Sequence, residues 1–301
     1  MPSRASPKSS PPIPLSVIGN LPSNTDAAVD LGFLQDWQHN TYVPNGWGFT
    51  VYRAVFGPCS NERFAAGVKR LEDWLHFSVR QNRYDLFGKR TALPSDPDTD
   101  LTNLVAERLW NELVEDYPDK DKIKLSTTPD DEGSEDFTPI GTAFVRWAEQ
   151  LGVDLSRRNA RYNHCLILDD AALKSLEGLP NEVPKVKPRP AGTPEGRDLT
   201  RIKQGAWVWV LDRETIQARQ AGTFRRSPED IYPPWIRIRL PFLQTLWFYP
   251  PQGLAPEEWW QVSEEDRVKH DRVFWWNERA TTMNQVLRNH RSQMEMMRQV
   301  V

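Results

Sequence analysis

This chain of 301 residues has little cysteine, no long apolar run and almost no net charge. Its two cysteines, Cys59 and Cys165, lie far apart and belong to no CxxC motif or Cys/His cluster. Neither a disulfide framework nor a structural zinc site is indicated, and a reducing compartment, the cytoplasm or the nucleus, is predicted. No stretch approaches the ~18 apolar residues that a membrane span needs, so no membrane partner is expected.

The charges are nearly balanced, with 38 Lys and Arg against 41 Asp and Glu and a formal net charge of -3 at pH 7. Domains that bind nucleic acid typically show a basic excess or a basic face. Nucleic acid is therefore not expected as a partner.

The short motifs that mark common enzyme classes are also missing. The sequence contains no GxxxxGK[ST], GxGxxG, HExxH or GxSxG. Mononucleotide-binding, dinucleotide-binding, zincin and serine-hydrolase interpretations therefore have no motif support, and no cofactor or metal is predicted.

Tryptophan and proline, in contrast, are abundant, with 13 and 25 residues respectively. Eight of the tryptophans, from Trp207 to Trp276, lie in the last third of the chain. Large, stiff aromatic side chains at this density predict either an aromatic core or an aromatic-lined groove there. Proline and serine are prominent in residues 1–24, which are predicted to form a disordered tail.

The clearest local pattern is a strand, a turn and a helix over residues 46–75. β-Branched and aromatic residues predominate in 49–56, as in a mostly buried strand, and Gly57-Pro58 ends it. Ser60 is a plausible helix N-cap. The helix that follows carries its apolar residues at helical spacing, at Phe64, Val68, Leu71 and Leu75.

Further apolar runs predict strands, and periodic stretches predict helices. The predicted strands are 163–168, 206–211 and 235–240, with a less regular one at 242–249. The predicted helices are 101–117, 138–151, 170–176 and 213–220, followed by a long helix that begins at Ser263 and runs close to the C-terminus. In the segment WIRIRL, Ile236 and Ile238 alternate with Arg237 and Arg239, which predicts a strand with one solvated face.

This order of elements predicts an α+β fold: a ferredoxin-like split β-α-β sheet with large helical and loop insertions and a long C-terminal helix. Helices are expected to cover one face of the sheet. The alternative is an α/β doubly wound parallel sheet, which the solvated face of WIRIRL disfavours because such strands are usually covered on both sides. One domain is predicted over residues 25–301, with mobile loops near 118–137 and 180–204.

Three segments together carry a resemblance: GFTVYRAVFGP at 48–58, CLILDD at 165–170 and WVWVLD at 207–212. In this order they resemble a group of uncharacterised fungal proteins that share a G-F-x-V-Y-R strand, a C-L-hydrophobic-hydrophobic-D-acidic segment and a V-x-V-x-D segment. The likeness covers residues 46–212 discontinuously. It implies an intracellular fungal protein and, because that group has no established activity, it carries over no functional residues.

Three acids at predicted strand ends, Asp169, Asp170 and Asp212, are candidate catalytic residues. Carboxylates from neighbouring strands that meet at one sheet edge can share a divalent cation, as phosphoryl transfer requires. The alternative is that Asp169 or Asp170, and also Asp212, cap the helices that follow, and capping alone accounts for each position.

His164 and Cys165 are neighbours on one predicted strand, so their side chains point to opposite faces and cannot form a nucleophile-base pair. His164 is a further catalytic candidate, against the commoner role of a buried sheet histidine. Cys59 precedes the opening helix, whose N-terminus lowers the pKa of a thiol, but no motif identifies a partner histidine.

Candidate binding residues are arginines and tryptophans. Arg53, Arg237 and Arg239 could hold an anion, because arginine binds phosphate and carboxylate bidentately, or could form solvated edges and ion pairs. The pairs Trp259-Trp260 and Trp275-Trp276 suit a ligand cage or a groove for a protein partner. Adjacent residues on a helix point about a quarter turn or more apart, so one tryptophan of each pair is expected in the core.

Two functions from different classes follow. The first is a non-enzymatic intracellular interaction or regulatory protein that docks through its Trp-rich C-terminal region. The alternative is a metal-assisted phosphoryl-transfer or hydrolytic enzyme that uses the strand-end aspartates, with Arg53 as an anion clamp. The sequence leaves open whether the protein is an enzyme and what its oligomeric state is.

Overall fold

The computed structural model describes residues 46–87, 105–126, 135–151, 160–187, 193–222, 235–248, 260–262 and 274–276. The predicted tail at 1–24 and most of the predicted C-terminal helix lie outside these ranges. The strands are β1 Thr50–Arg53, β2 Glu112–Val114, β3 His164–Leu168, β4 Trp207–Asp212, β5 Trp235–Arg239, β6 Trp260–Val262 and β7 Phe274–Trp276. The helices are α1 Ser60–Phe87, α2 Thr138–Gln150, α3 Ala160–Asn163, α4 Asp170–Glu177, α5 Pro194–Gly205, α6 Arg213–Gln220 and α7 Leu240–Phe248, with a 3-10 turn at Lys120–Lys122.

The strands form one mixed sheet in the order β2-β1-β3-β4-β5-β7-β6. Strand β1 runs parallel to both β2 and β3, whereas β4 is antiparallel to its neighbours β3 and β5. Beyond β5, β7 is parallel to β5 and β6 is antiparallel to β7. A mixed sheet with helices agrees with the predicted α+β class. The ferredoxin-like topology is not confirmed, because β1, β2 and β3 are three parallel neighbours.

Helices cover both faces of the sheet, and two adjacent residues of β1 show this. The ring of Tyr52 lies 6.2 Å from that of Phe144 on α2, centroid to centroid. The guanidinium of Arg53 lies 5.5 Å from the ring centroid of Phe64 on α1. Because successive residues of a strand point to opposite faces, α1 and α2 lie on opposite sides of the sheet. The expectation that helices cover one face is therefore wrong.

Buried tryptophans join parts of the chain that are distant in sequence. The indole N–H of Trp47 donates to the carbonyl of Val105 at 2.7 Å, and that of Trp247 donates to the carbonyl of Gly48 at 2.6 Å. Both rings are fully buried. A buried indole N–H needs an acceptor, so these two bonds fix where α7 and the segment before β2 sit against the start of β1.

Three predicted elements differ from the structure. The predicted helix at 101–117 is helical only at Val105 and Ala106 within the described part, and it contains strand β2 at Glu112–Val114. The strand predicted at 242–249 is mostly helix α7, and β7 falls inside the predicted C-terminal helix. In each case pairing or packing with distant parts of the chain outweighs local periodicity, which is ambiguous for short apolar runs.

The predicted loop at 180–204 is only partly irregular. Two side chains of α1 hold its first half, since the Trp74 indole donates to the carbonyl of Pro180 at 3.1 Å and the Gln81 amide donates to that of Lys187 at 2.9 Å. The second half contains α5, with Thr193 as N-cap and a proline at its start. The prediction of irregular structure is wrong for α5, where cap and proline chemistry start a helix despite the Pro- and Gly-rich sequence before it.

Candidate functional site

The strand-end aspartates lie at opposite ends of the sheet. Strands β3 and β4 are antiparallel, and the residue paired with Asp212 is His164, at the start of β3. Asp169 follows the other end of β3, five residues further on, which corresponds to roughly 16 Å of extended chain. The hypothesis that Asp212 converges with Asp169 and Asp170 is therefore wrong, because convergence requires strands that run in the same direction.

Asp169 and Asp212 instead act as helix caps. Asp169 accepts a hydrogen bond from the backbone N–H of Ala172 at 2.7 Å, and Asp212 accepts one from that of Thr215 at 2.8 Å. The side chain of Asp170 pairs with Arg63 on α1. The capping interpretation is thus confirmed, with Asp169 and not Asp170 as the cap of α4. Across the described ranges, no three His, Cys, Asp or Glu side chains are grouped so that they could hold a metal ion.

Asp169 has a second role at the carboxyl end of β3. It is only 3% exposed, and its other carboxylate oxygen accepts a hydrogen bond from the indole N–H of Trp209 at 3.0 Å. Burial raises the pKa of Asp169, and the bonds from Ala172 and Trp209, with the nearby charge of Arg237, oppose this rise. The carboxylate therefore links α4 to β4 in an environment that disfavours its charge.

Arg237 lies against two tryptophans, a cluster that we call the Trp–Arg stack (Trp207, Trp209 and Arg237). The guanidinium carbon is 4.2 Å from the ring centroid of Trp207 and 4.7 Å from that of Trp209, which are cation–π distances. Arg237 is only 5% exposed, whereas Trp207 is half-buried. The predicted solvated face of WIRIRL is therefore wrong at Arg237, because indoles from the neighbouring strand cover it.

The backbone beneath the Trp–Arg stack is fixed by a serine of α4. The hydroxyl of Ser175 donates to the carbonyl of Trp207 at 2.7 Å and accepts from its N–H at 3.0 Å. The stack was not predicted from the sequence, although the alternation in WVWVLD places Trp207 and Trp209 on one face. What the sequence could not show was that Arg237 lies opposite Trp209 on the next strand.

Most of the C-terminal tryptophans lie on four consecutive strands. In the register, Trp275 of β7 pairs with Arg237, and Trp276 pairs with Trp260 of β6. Trp259 lies outside the described residues, as do the side chains of Trp260, Trp275 and Trp276. The tryptophan-bearing strands of this half of the sheet are β4, β5, β7 and β6.

Arg53 is a structural residue and not an open anion clamp. Its Nε donates to the carbonyl of Val55 at 2.8 Å, its Nη1 to the carboxylate of Glu115 at 2.9 Å, and its Nη2 to the hydroxyl of Ser60 at 2.6 Å. All three guanidinium nitrogens thus donate to the chain and fix the turn between β1 and α1. Arg239, the other arginine on β5, is half-buried.

Replacing Arg53 with methionine is expected to lower the free energy of unfolding by about 2 kcal/mol, because buried partners of a charged group lose their hydrogen bonds. Urea denaturation measures this change. Arg63→Met is the matched control, since Arg63 is more exposed and pairs with Asp170 and Glu177 at the surface, where ion pairs contribute about 0 to 1 kcal/mol. Equal losses in the two variants would contradict the structural role of Arg53.

His164 lies at the other end of β3, next to Asp212. It is 7% exposed, and its Nε2 is 3.5 Å from the carboxylate oxygen Oδ1 of Asp212. Among the described residues, its Nδ1 has no hydrogen-bond partner. Burial, and to a lesser extent the charge of Arg213, lower the pKa of His164, while Asp212 acts in the opposite direction. His164 is therefore neutral near pH 7.

The two cysteines are free thiols: Cys59 is exposed and Cys165 is buried. Burial raises the pKa of Cys165 well above its ordinary value, so it is an inert thiol near pH 7. Within the part of the chain that the structure describes, no helix combines the length and the apolar character needed to cross a membrane.

Comparisons of the chain with protein-family models, with curated proteins and with solved structures found no match. The resemblance to a fungal protein group stays a prediction.

Proposed function

We propose that this chain is a non-enzymatic interaction or regulatory protein that binds a protein partner through the tryptophan-bearing half of its sheet. One observation carries the proposal: tryptophans that are scattered along the last third of the sequence lie on the adjacent strands β4, β5, β7 and β6. Aromatic residues and arginine are enriched at protein interfaces and dominate their binding energy.

The Trp–Arg stack supports this assignment because it is already ordered. Ser175 fixes the backbone of Trp207, and Arg237 lies against its ring. A half-buried tryptophan held in this way loses little conformational freedom when a partner binds it. The formal net charge of -3 favours a protein over nucleic acid as the partner.

We do not propose the metal-assisted enzyme, because that function requires the strand-end aspartates to lie close together. Asp169 and Asp212 lie at opposite ends of antiparallel strands, and each already caps a helix. Two free thiols in the whole sequence support a reducing compartment, and we place the protein in the cytoplasm or the nucleus on that ground.

Affinity capture and a binding titration test the proposed docking surface. The tagged full chain and its W207A variant are used as baits in a fungal extract, and proteins enriched only by the wild type are identified by mass spectrometry. One such protein is then purified and titrated by calorimetry. We expect W207A to raise its Kd at least tenfold, as for a central interface tryptophan.

Trp147→Ala is the matched control, because Trp147 is also half-buried but lies on α2, where it stacks on Phe144. Thermal melting of all variants separates lost binding from lost folding. A captured set that is identical for wild type and W207A, or a Kd that rises equally in W147A, would overturn the proposal.

A further inference from the structure

One carboxylate serves both a buried histidine and a helix N-terminus, at the place where β3, β4 and α6 meet. Oδ1 of Asp212 faces Nε2 of His164 at 3.5 Å. Oδ2 of the same carboxylate accepts from the backbone N–H of Thr215 at 2.8 Å and from its hydroxyl at 2.6 Å. We call this place the β3–α6 junction, defined by His164, Asp212 and Thr215. The protonation state of His164 and the capping of α6 are therefore linked through Asp212.

A second bond holds the start of α6 to the end of α3, the short helix that directly precedes β3. Nη2 of Arg213, the first residue of α6, donates to the side-chain oxygen of Asn163 at 2.8 Å. Asn163 immediately precedes His164. The start of α6 is thus held to the end of α3 by one polar bond and to the start of β3 by the shared carboxylate.

The junction fits a neutral imidazole. A neutral ring has one N–H, which can point to Asp212, and one bare nitrogen that needs no acceptor. An imidazolium has two N–H groups, and among the described residues Nδ1 has no acceptor. The charged groups that act on the ring are Asp212 of β4, which attracts a proton, and Arg213 of α6, which repels it; α3 contributes the neutral Asn163.

We propose that the β3–α6 junction is an acid-sensitive latch, in which protonation of His164 draws its ring and the Asp212 carboxylate out of place and releases α6. The ring must move to find an acceptor for its second N–H, and the carboxylate that follows it leaves the amide of Thr215 without its cap. This device is independent of the docking function proposed above, because it lies at the opposite end of β4 from Trp207.

Release of α6 uncovers an apolar contact with α2. Ile216 of α6 is buried and packs closely on Gly141 of α2. A Cβ added at Gly141 would lie only 2.6 Å from the Cδ1 atom of Ile216. Polar contacts between the two helices are exposed, such as that of Gln220 with the hydroxyl of Thr142 at 3.0 Å. The apolar contact is therefore what acid would expose.

The direction of the pH effect follows from the sign of the pKa shift. The folded-state pKa of His164 is lowered below its ordinary value of about 6.5. Stability from the neutral ring is fully present above about pH 6.5 and is lost as the pH falls from there toward the folded-state pKa. Each unit of difference between the two pKa values corresponds to a factor of about ten in the opening equilibrium.

Hydrogen exchange of the full chain tests the latch. Deuterium uptake is measured by mass spectrometry at pH 7.5 and pH 5.5, with the intrinsic pH dependence of exchange divided out. We expect peptides that cover Arg213–Gln220 to exchange about tenfold faster at pH 5.5, and peptides from α5, which contains no histidine, to change little. In H164Q the acceleration in α6 should be absent, because the side chain of glutamine does not titrate.

The matched control is H76Q, because His76 on α1 also has a pKa lowered by burial and by Arg80, yet lies outside the junction. This variant should keep the acceleration in α6. If H164Q does not fold, an NMR titration of the His164 ring in the wild type decides the question, with its signal assigned by through-bond correlation to the His164 backbone. Uptake in α6 that is equal at both pH values, acceleration that persists in H164Q, or a His164 pKa above about 6.5 in the folded protein would each overturn the latch.

Discussion

Gly48→Ala is expected to lower the free energy of unfolding by at least about 3 kcal/mol, or to prevent folding. Gly48 has φ +130, a conformation that side-chain-bearing residues rarely adopt, and a Cβ there would lie 2.2 Å from the carbonyl oxygen of Trp110. This obstacle is backbone in the segment just before β2, so no side-chain rotation relieves it. Thermal and urea denaturation of the purified variant measure the loss.

Gly57→Ala is the matched control for that variant. Among the described residues, apart from Gly57 and its two chain neighbours, no heavy atom lies within 4 Å of a Cβ built at Gly57. We expect G57A to change the free energy of unfolding by less than about 1 kcal/mol in either direction. A small stabilisation is consistent with this expectation, because alanine lowers the conformational entropy of the unfolded chain. A G48A protein as stable as G57A would show that the close approach of Gly48 to Trp110 is not required.

Asp169→Ala is expected to lower the free energy of unfolding by about 2 to 4 kcal/mol at pH 7. The variant loses the N-cap of α4, which contributes about 1 kcal/mol, and leaves the buried N–H of Trp209 without its acceptor, which costs about 1 to 3 kcal/mol. Thr193→Ala, which removes the side-chain cap of α5, is the control and should lose only about 1 kcal/mol. Losses of the same size in both variants would contradict a role for the bond to Trp209.

The pH dependence of the Asp169 effect has a definite sign. The folded-state pKa of Asp169 is raised, mainly by burial. Its contribution to stability is therefore full below the unfolded pKa of about 3.9 and falls as the pH rises through the folded value. The stability gap between wild type and D169A should accordingly be wider near pH 4 than at pH 7, and a gap that widens with rising pH would contradict the shift.

Local chemistry made several helices predictable. The α2 helix begins at Thr138 with Pro139 next in the chain, and α4 and α6 each begin after an aspartate whose side chain caps them. Caps, prolines and helical periodicity act over a few residues, so the sequence alone contains this information. The same is true of the turn at Gly57-Pro58 that leads into α1.

The arrangement of strands was less predictable, because it depends on partners distant in sequence. The segments CLILDD and WVWVLD look alike as strand ends, but no local sequence feature indicates that β4 is antiparallel to β3. That one direction decides whether Asp169 and Asp212 meet. The same limit applies to Arg237. Its alternation with isoleucines predicts a solvent-exposed side chain, but in the fold its guanidinium lies against the rings of Trp207 and Trp209.

The bond from Trp247 to the carbonyl of Gly48 spans 199 positions in the sequence and has a consequence for synthesis. Chains emerge from the ribosome N-terminus first, at about 5–20 residues per second. Strand β1 and helix α1 therefore leave the exit tunnel many seconds before α7, and until then the Trp47 ring lacks its neighbour Trp247, 6.0 Å away in the native state. The first β-α unit of this protein cannot complete its packing until the last third of the chain has been synthesised. During that interval it exposes an apolar surface of the kind that molecular chaperones bind.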